Sequence, residues 1–178
     1  MKKCFAIFAA AFFLALSHPS LAAEKIHSSV MTSSTAPSAV APITFVDEND
    51  IQHALSDYRG RFVLLNIWAT WCAPCAREMQ SLNELQSKFD KKAFVVLPVS
   101  QNADIDTVSA FYKTKHLNNL PIAVDRQGVS YRAFNLRGLP TTILINPSGQ
   151  EIARKEGEAE WGSAISEISN KTLINPLK

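Results

Sequence analysis

The sequence predicts an α/β fold in which a mixed central sheet is flanked by helices. The run Phe62 to Trp68 is almost wholly apolar, which is typical of a central strand covered on both faces. An amphipathic helical pattern and a second apolar run, Phe94 to Val99, follow it along the chain. Near the C-terminus, the strand-like segments Thr141 to Ile145 and Glu151 to Lys155 flank the turn formers Asn146-Pro147-Ser148-Gly149, which predicts an antiparallel hairpin.

The other elements follow from local patterns along the chain. Thr44 to Val46 predicts a short first strand, and Ile122 to Val124 predicts a strand before the hairpin. From Pro74 to Phe89, apolar residues recur at three- and four-residue spacing, which predicts a helix with one apolar face. Two further helices are indicated, one by Ile105, Val108, Phe111 and Tyr112, and the last by Trp161, Ala164, Ile165 and Ile168.

The first 42 residues have the composition of a targeting segment followed by a linker. A basic start, an apolar stretch from Phe5 to Leu16 and the small residues around Ser20-Leu21-Ala22 indicate a secretory signal at residues 1–22. The alternative is a retained N-terminal anchor, because residues 4–23 are free of charge and match the ~20 residues that a membrane-spanning helix needs. Residues 23–42 are rich in Ser, Thr, Ala and Pro, which predicts a flexible linker before a domain at residues 43–178.

Charge and composition narrow the classes of partner. The formal net charge of +2 falls to about zero without Lys2 and Lys3, so nothing indicates a nucleic acid or an anionic surface as partner. The histidines His27, His53 and His116 show no paired ligand spacing, and we assign no metal site. We expect a monomer.

The cysteines point to redox chemistry. Of the three, Cys4 lies in the predicted signal, which leaves the pair in Trp71-Cys72-Ala73-Pro74-Cys75 at the end of the central strand. A cysteine at the start of a helix is exposed to the positive end of the helix dipole, which favours its thiolate, and Pro74 suits the first helical turn. We therefore predict that Cys72 attacks and that Cys75 resolves the mixed disulfide. A permanent structural disulfide is the alternative, but so short a loop would stabilise the fold only weakly.

The order of elements, with this motif early and Leu139-Pro140-Thr141 just before the hairpin, resembles the thioredoxin fold over residues 43 to 170. The segments Asn66 to Cys72, Gly138 to Thr142 and Asn146 to Gly149, with a strand–helix insertion between Phe94 and Phe134, resemble the TlpA/ResA branch of periplasmic thioredoxins. The segment Gly157 to Trp161 adds a likeness to the TlpA members.

This resemblance implies a reductant of disulfides in exported proteins. Its clients would include apocytochrome c and the proteins that assemble the copper site of cytochrome oxidase. A membrane thiol transporter of the DsbD or CcdA type would return it to the dithiol form. The implied location is the periplasm, either in solution or anchored to the inner membrane by residues 4–23. No cofactor is needed beyond the Cys72–Cys75 pair.

The resemblance also implies roles for individual residues. Pro140 would follow a cis peptide bond, lie against the cysteines and leave neighbouring backbone free for an extended client segment. Glu78 matches an acidic residue of the family and would accept the proton of Cys75, because the usual thioredoxin carboxylate is replaced by Asn66, which cannot take a proton. An exposed acid in the first helical turn, favoured by the helix dipole, is the alternative for Glu78.

Several side chains are assigned supporting positions around the cysteines. We expect Trp71 to pack beside the sulfurs and Trp68 to lie under the sheet, with an indole N–H reaching a polar partner. Arg77 is interpreted as a solvated side chain, although it could assist a thiolate. The remaining supporting positions are Ala73, Pro74 and Leu139.

Three other functions remain open at this point. A disulfide oxidase or isomerase of the DsbA or DsbC type is less favoured, because no histidine lies between the cysteines to stabilise a thiolate strongly. A copper(I) chaperone would use the dithiol with a distant histidine, but the related Sco pattern has three residues between its cysteines, against two here. A catalytically inert interaction module is disfavoured by the intact cysteine pair.

Overall fold

The computed structural model describes residues 30–172, which form one mixed sheet with helices packed on both of its faces. The strands are β1 (Thr32–Ala39), β2 (Thr44–Val46), β3 (Gln52–Ala54), β4 (Phe62–Trp68), β5 (Phe94–Ser100), β6 (Ala123–Val124), β7 (Thr141–Ile145) and β8 (Gln150–Glu156). The α-helices are α1 (Ala73–Gln86), α2 (Ile105–Lys115), α3 (Val129–Ala133) and α4 (Ile165–Thr172), and short 3-10 helices span Leu55–Tyr58 and Trp161–Ala164.

The sheet has the order β1-β8-β7-β4-β5-β6-β2-β3. Strand β4 lies at its centre, parallel to β5 and antiparallel to β7, and six of its seven residues are buried, as its apolar run predicted. Because a parallel pair needs a crossover connection, α1 joins β4 to β5. The start of α1 therefore lies at the end of the central strand, where Cys72 is the N-cap residue.

Most of the predicted elements are confirmed, with bounds shifted by a few residues. The inserted segment after β5 consists of α2 and β6, and β6 extends the sheet beyond β5 in parallel orientation. Helix α2 packs against the central strand, since the ring of Trp68 lies 5.1 Å from Phe111 and 6.1 Å from Tyr112 between centroids. The predicted last helix is divided into the second 3-10 helix and α4. Strand β3, helix α3 and the first 3-10 helix were not predicted.

The prediction of a flexible linker at residues 23–42 is wrong for the part that the structure describes. Residues 32–39 form β1, which pairs antiparallel with β8 and has a shift in register between Ser33 and Ser38. The strand pairs through backbone N–H and C=O groups, which small polar residues provide as well as apolar residues do. Pro37, which has no N–H, is tolerated because β1 is an edge strand. Just before it, Met31 is buried in the core, and its N–H donates to Glu167 at 3.2 Å.

The predicted signal or anchor at residues 1–22 and the first part of the linker lie outside the described residues. Within residues 30–172, no helix is both long and apolar enough to cross a membrane.

Candidate active site

Cys72 and Cys75 form a disulfide, with a Cα–Cα distance of 5.2 Å. The backbone at Cys72 is extended, and helix α1 begins at the next residue with Pro74 in its first turn. The N–H of Cys75 donates to the sulfur of Cys72 at 3.3 Å, so a helix-terminal N–H already points at that sulfur. Cys72 is 7 % exposed and Cys75 is fully buried, so only Cys72 offers a surface that a client sulfur could approach.

The loop between β4 and α1 is held by a residue that sequence reasoning missed. Asn102, just beyond β5, accepts from the N–H of Thr70 at 2.9 Å and donates to the hydroxyl of Thr70 at 2.8 Å. Its side-chain oxygen also accepts from the hydroxyl of Ser100 at 2.8 Å. The neighbouring parallel strand thus fixes the backbone that leads into Cys72. A single Asn after a strand offers no pattern by which this role could have been found.

Glu78 lies inside the protein, with 2 % of its surface exposed. One carboxylate oxygen accepts from Asn66 Nδ2 at 2.7 Å. The other accepts from the N–H of Ala159 at 3.0 Å and from the indole N–H of Trp161 at 3.2 Å. The alternative of an exposed first-turn acid is therefore wrong: the segment 157–161 folds back over α1 and covers this side chain.

Burial raises the pKa of Glu78 from 4.5 to about 7, although the hydrogen bonds from Ala159, Asn66 and Trp161 favour the ionised form. Near neutral pH, Glu78 is thus divided between its protonated and ionised forms. A carboxyl group with such a pKa, three residues after Cys75 on the same helix, has the acidity that a general acid and base requires at this pH.

Asn66 is part of the same buried network. Its Nδ2 donates to Thr142 on β7 at 2.9 Å as well as to Glu78, so it links β7 to α1 through the central strand. Its side-chain oxygen, like the indole N–H of Trp68, is buried and has no hydrogen-bond partner among the described residues. Trp68 does lie in the core as expected, but the expected polar partner for its N–H is not found.

A shallow pocket surrounds the exposed side of Cys72. It is lined by Trp71, Cys72, Gln101, Tyr131 and Leu139. Trp71 is 70 % exposed, so it stands at the rim of the pocket with most of its ring in solvent, which differs from the packed position that we expected. The predicted cis bond is present between Leu139 and Pro140, and Pro140 is buried. Sequence reasoning found Trp71 and Leu139 but missed Gln101 and Tyr131, which come from the segment after β5.

Other charged groups lie outside this pocket. Arg77 is exposed and pairs with Glu158 at 3.0 Å, which lowers the pKa of Glu158 and raises that of Arg77. Ala73 is exposed and Pro74 is half-buried at the start of α1. Within residues 30–172, no three His, Cys, Asp or Glu side chains are grouped so as to hold a metal ion.

A disulfide at the start of the helix that follows the central strand, beside a cis-proline loop, defines a thiol–disulfide oxidoreductase of the thioredoxin fold. Comparison with solved structures agrees on the fold. A thiol:disulfide interchange protein from Chlorobium tepidum is 21% identical, has a TM-score of 0.65, and is matched over 79% of this chain and 99% of that one. The exposed lipoprotein thioredoxin of Streptococcus pneumoniae is 24% identical with a TM-score of 0.63, over 73% of this chain and 99% of that one.

Comparison with families and curated proteins defines the family. The Redoxin family model matches residues 31–171, which include β1. The thiol-disulfide oxidoreductase ResA of Geobacillus kaustophilus is 40% identical over 121 residues, which are 68% of this chain and 67% of that protein. The thioredoxin-like protein YneN of Bacillus subtilis is 37% identical over 98 residues, 54% of this chain and 56% of that protein. The chain belongs to the Redoxin family, among its ResA/TlpA-like thioredoxins.

Proposed function

We propose that this oxidoreductase works as a reductant of disulfides in exported client proteins, in the periplasm. Apocytochrome c and the proteins that assemble the copper site of cytochrome oxidase are the proposed clients. A membrane thiol transporter of the DsbD or CcdA type is the proposed electron donor. The main support is the asymmetry of the cysteine pair, in which Cys72 faces an uncharged pocket while Cys75 is sealed in the core.

The proposed reaction has two exchange steps. The Cys72 thiolate attacks one sulfur of the client disulfide, a Cys72–client disulfide forms, and the other client sulfur leaves as a thiolate. The Cys75 thiol then loses its proton, and its thiolate attacks Cys72, so the Cys72–Cys75 disulfide forms and the client leaves reduced. The proton of Cys75 is taken by Glu78, whose pKa of about 7 lets it accept a proton at neutral pH.

The direction of net electron flow can be tested by the equilibrium potential of the Cys72/Cys75 couple against glutathione. A reductant is expected below about −220 mV, whereas a strong oxidant lies near about −120 mV. We expect the lower range, because Ala73 and Pro74 between the cysteines add no cationic group that would stabilise the reduced thiolate. A potential near that of the strong oxidants would instead favour the disulfide oxidase or isomerase.

Single cysteine variants test the order of the two steps. Cys72→Ser should abolish reduction of hydroxyethyl disulfide, because the sulfur that remains is buried. Cys75→Ser should accumulate a stable Cys72–client disulfide, because attack is intact and resolution is lost. Mass spectrometry of the trapped adducts measures both outcomes. Adducts on Cys75 in the Cys72→Ser variant, formed at the wild-type rate, would refute the assignment of the nucleophile.

A further inference from the structure

Gln101 is an unexplained polar side chain in the pocket beside Cys72. It directly follows β5, and its backbone N–H donates to the carbonyl of Trp68 at 2.8 Å, so its position is fixed by the central strand. The aromatic and aliphatic side chains of Trp71, Tyr131 and Leu139 line the same pocket. An amide in this place needs a physical reason, because none of its neighbours in the pocket binds its side chain.

A buried polar network holds the side chain of Gln101 from the interior of the protein. Its Nε2 donates to the hydroxyl oxygen of Ser130 in α3 at 2.8 Å. Ser130 is fully buried, and both its backbone N–H and its hydroxyl donate to one carboxylate oxygen of Asp125, each at 2.6 Å. Asp125 is itself 3 % exposed. Three side chains in a row therefore connect the interior to the rim of the pocket.

This network determines which end of the Gln101 amide faces Ser130. A carboxylate only accepts hydrogen bonds, so Asp125 takes the hydroxyl proton of Ser130. The hydroxyl oxygen then has only lone pairs to offer, and Gln101 must turn its NH₂ group toward it. The amide oxygen, Oε1, is left as the free end, and no described residue donates a hydrogen bond to it. Oε1 lies beside the turn that leads into α3, 3.6 Å from where a Cβ on Gly128 would stand. Gln101 therefore gives the pocket that it lines an acceptor of fixed position on the side of that turn.

The pocket also restricts the chemistry of what it can accept. No charged side chain lines it, so a charge on the occupant would lose water without gaining a partner. Its reactive atom is the sulfur of Cys72, so the occupant must bring a disulfide. An extended peptide meets these requirements when uncharged residues flank its cysteine, and its backbone N–H groups supply the donor that Oε1 lacks.

We propose that Gln101 is a specificity-determining residue of the exchange reaction, whose Oε1 accepts a backbone N–H next to the reacting cysteine of a client peptide. Uncharged client side chains beside that cysteine contact Trp71 and Tyr131. Ser130 and Asp125 are positioning residues that hold the amide in this orientation. This inference rests on the proposed function, because it requires a disulfide-bearing client at Cys72.

The test compares peptide substrates that differ by one N–H. The parent substrate is the acetylated and amidated peptide Gly-Phe-Cys-Phe-Gly, joined to glutathione through its cysteine. Its variants carry an N-methyl group on the cysteine or on one of the two phenylalanines. The second-order rate constant for attack by the reduced protein is measured for each by stopped-flow fluorescence. The informative quantity is the ratio of the parent rate to the N-methylated rate within one protein variant.

For one of the three N-methylated peptides, the ratio of parent rate to N-methylated rate should be roughly 2- to 10-fold larger in the wild-type protein than in Gln101→Leu. A difference of this size is expected for the loss of one hydrogen bond. Ser130→Ala should give an intermediate ratio, because Gln101 is present but no longer held. Gln127→Leu makes the same chemical change at an exposed position in the neighbouring turn and should keep the wild-type ratio. Comparing ratios removes any effect of N-methylation on the peptide's own conformation.

Equal ratios in the wild-type protein, Gln101→Leu and Ser130→Ala for all three peptides would overturn the proposal. That result is distinct from failure of the proposed function, which would show as a wild-type protein that reduces neither the parent peptide nor hydroxyethyl disulfide. A protein that reduces both substrates with equal ratios would remain a reductase, but one in which Gln101 has no part in selecting clients.

Discussion

At the scale of single residues, the site combines Cys72, the proposed nucleophile, which borders a pocket, with the buried acid Glu78. Cys72 is the N-cap residue of α1 and Glu78 lies in its second turn, yet the first borders a pocket and the second is enclosed by the segment 157–161. The helix start favours the thiolate of Cys72 without help from a nearby base. Cys75 has no such surface, so its deprotonation depends on a group inside the protein. The two exchange steps should therefore respond to different residues.

Glu78→Gln should slow resolution of the mixed disulfide more than attack on the client. Loss of the proposed proton acceptor should lower the rate of resolution roughly 10- to 100-fold near pH 7, at the low end of general-base contributions. In the wild-type protein, resolution should become faster as pH rises through about 7, where Glu78 ionises, and the variant should lack this inflection. Stopped-flow rates of both steps from pH 5 to 9 measure the difference.

Glu84→Gln is the matched control, because Glu84 lies on the same helix but is exposed. It should leave both rates and the pH profile as in the wild-type protein. Equal slowing of attack and resolution in Glu78→Gln would contradict the role of Glu78 as the base for Cys75. It would then be a structural acid whose replacement disturbs the whole site.

At the scale of elements, α1 is fixed to the sheet at both ends, which keeps the cysteines in place. Its start is tied to β4 and β5 through Asn102. Near its end, the buried Gln86 inserts between helix and sheet: its oxygen accepts from the N–H of Val96 at 2.7 Å, and its Nε2 donates to the carbonyls of Phe89 and Phe94. Val96 lies in the middle of β5, so this side chain satisfies strand groups that water cannot reach.

Gln86→Leu should destabilise the oxidised protein by about 1 to 3 kcal/mol, because the N–H of Val96 would be buried without a partner. Gln80→Leu on the exposed face of the same helix should change the free energy of unfolding by less than about 0.5 kcal/mol. Urea unfolding followed by tryptophan fluorescence measures both. Equal, small effects of the two substitutions would show that strand β5 does not depend on Gln86.

At the scale of the whole molecule, the sequence predicted those parts of the fold that rest on apolar patterning. Strands β4, β5 and β7 and helix α1 follow directly from runs and stripes of apolar residues. Strand β1 could not be predicted, because Thr32 to Ala39 lack alternation of apolar residues and pair through backbone groups. The burial of Glu78 was also hidden, since it depends on a segment about 80 residues further along the chain. The cysteines were predictable from local spacing, whereas Gln101 and Tyr131 required knowledge of how the insertion folds back.

The buried acid should also make the stability of the whole domain depend on pH. The pKa of Glu78 is raised in the folded protein to about 7, from 4.5 for an unperturbed glutamate. Its contribution to stability is therefore fully present below pH 4.5 and is lost as pH rises through about 7. This difference in pKa corresponds to about 3 kcal/mol. Glu78→Gln should not show this loss of stability as pH rises. The difference in free energy of unfolding, variant minus wild type, should therefore increase by up to about 3 kcal/mol between pH 4.5 and pH 8.

Urea unfolding of both oxidised proteins across this range measures that difference without interference from cysteine titration. Glu84→Gln serves again as control, and its free energy of unfolding should differ from that of the wild-type protein by less than about 0.5 kcal/mol across this range, because Glu84 lies on the exposed face of α1. A flat difference for Glu78→Gln would mean that Glu78 ionises in the folded protein as it does in the unfolded chain. It would then be fully ionised throughout neutral pH, and the pH dependence of resolution would have to arise from Cys75 alone.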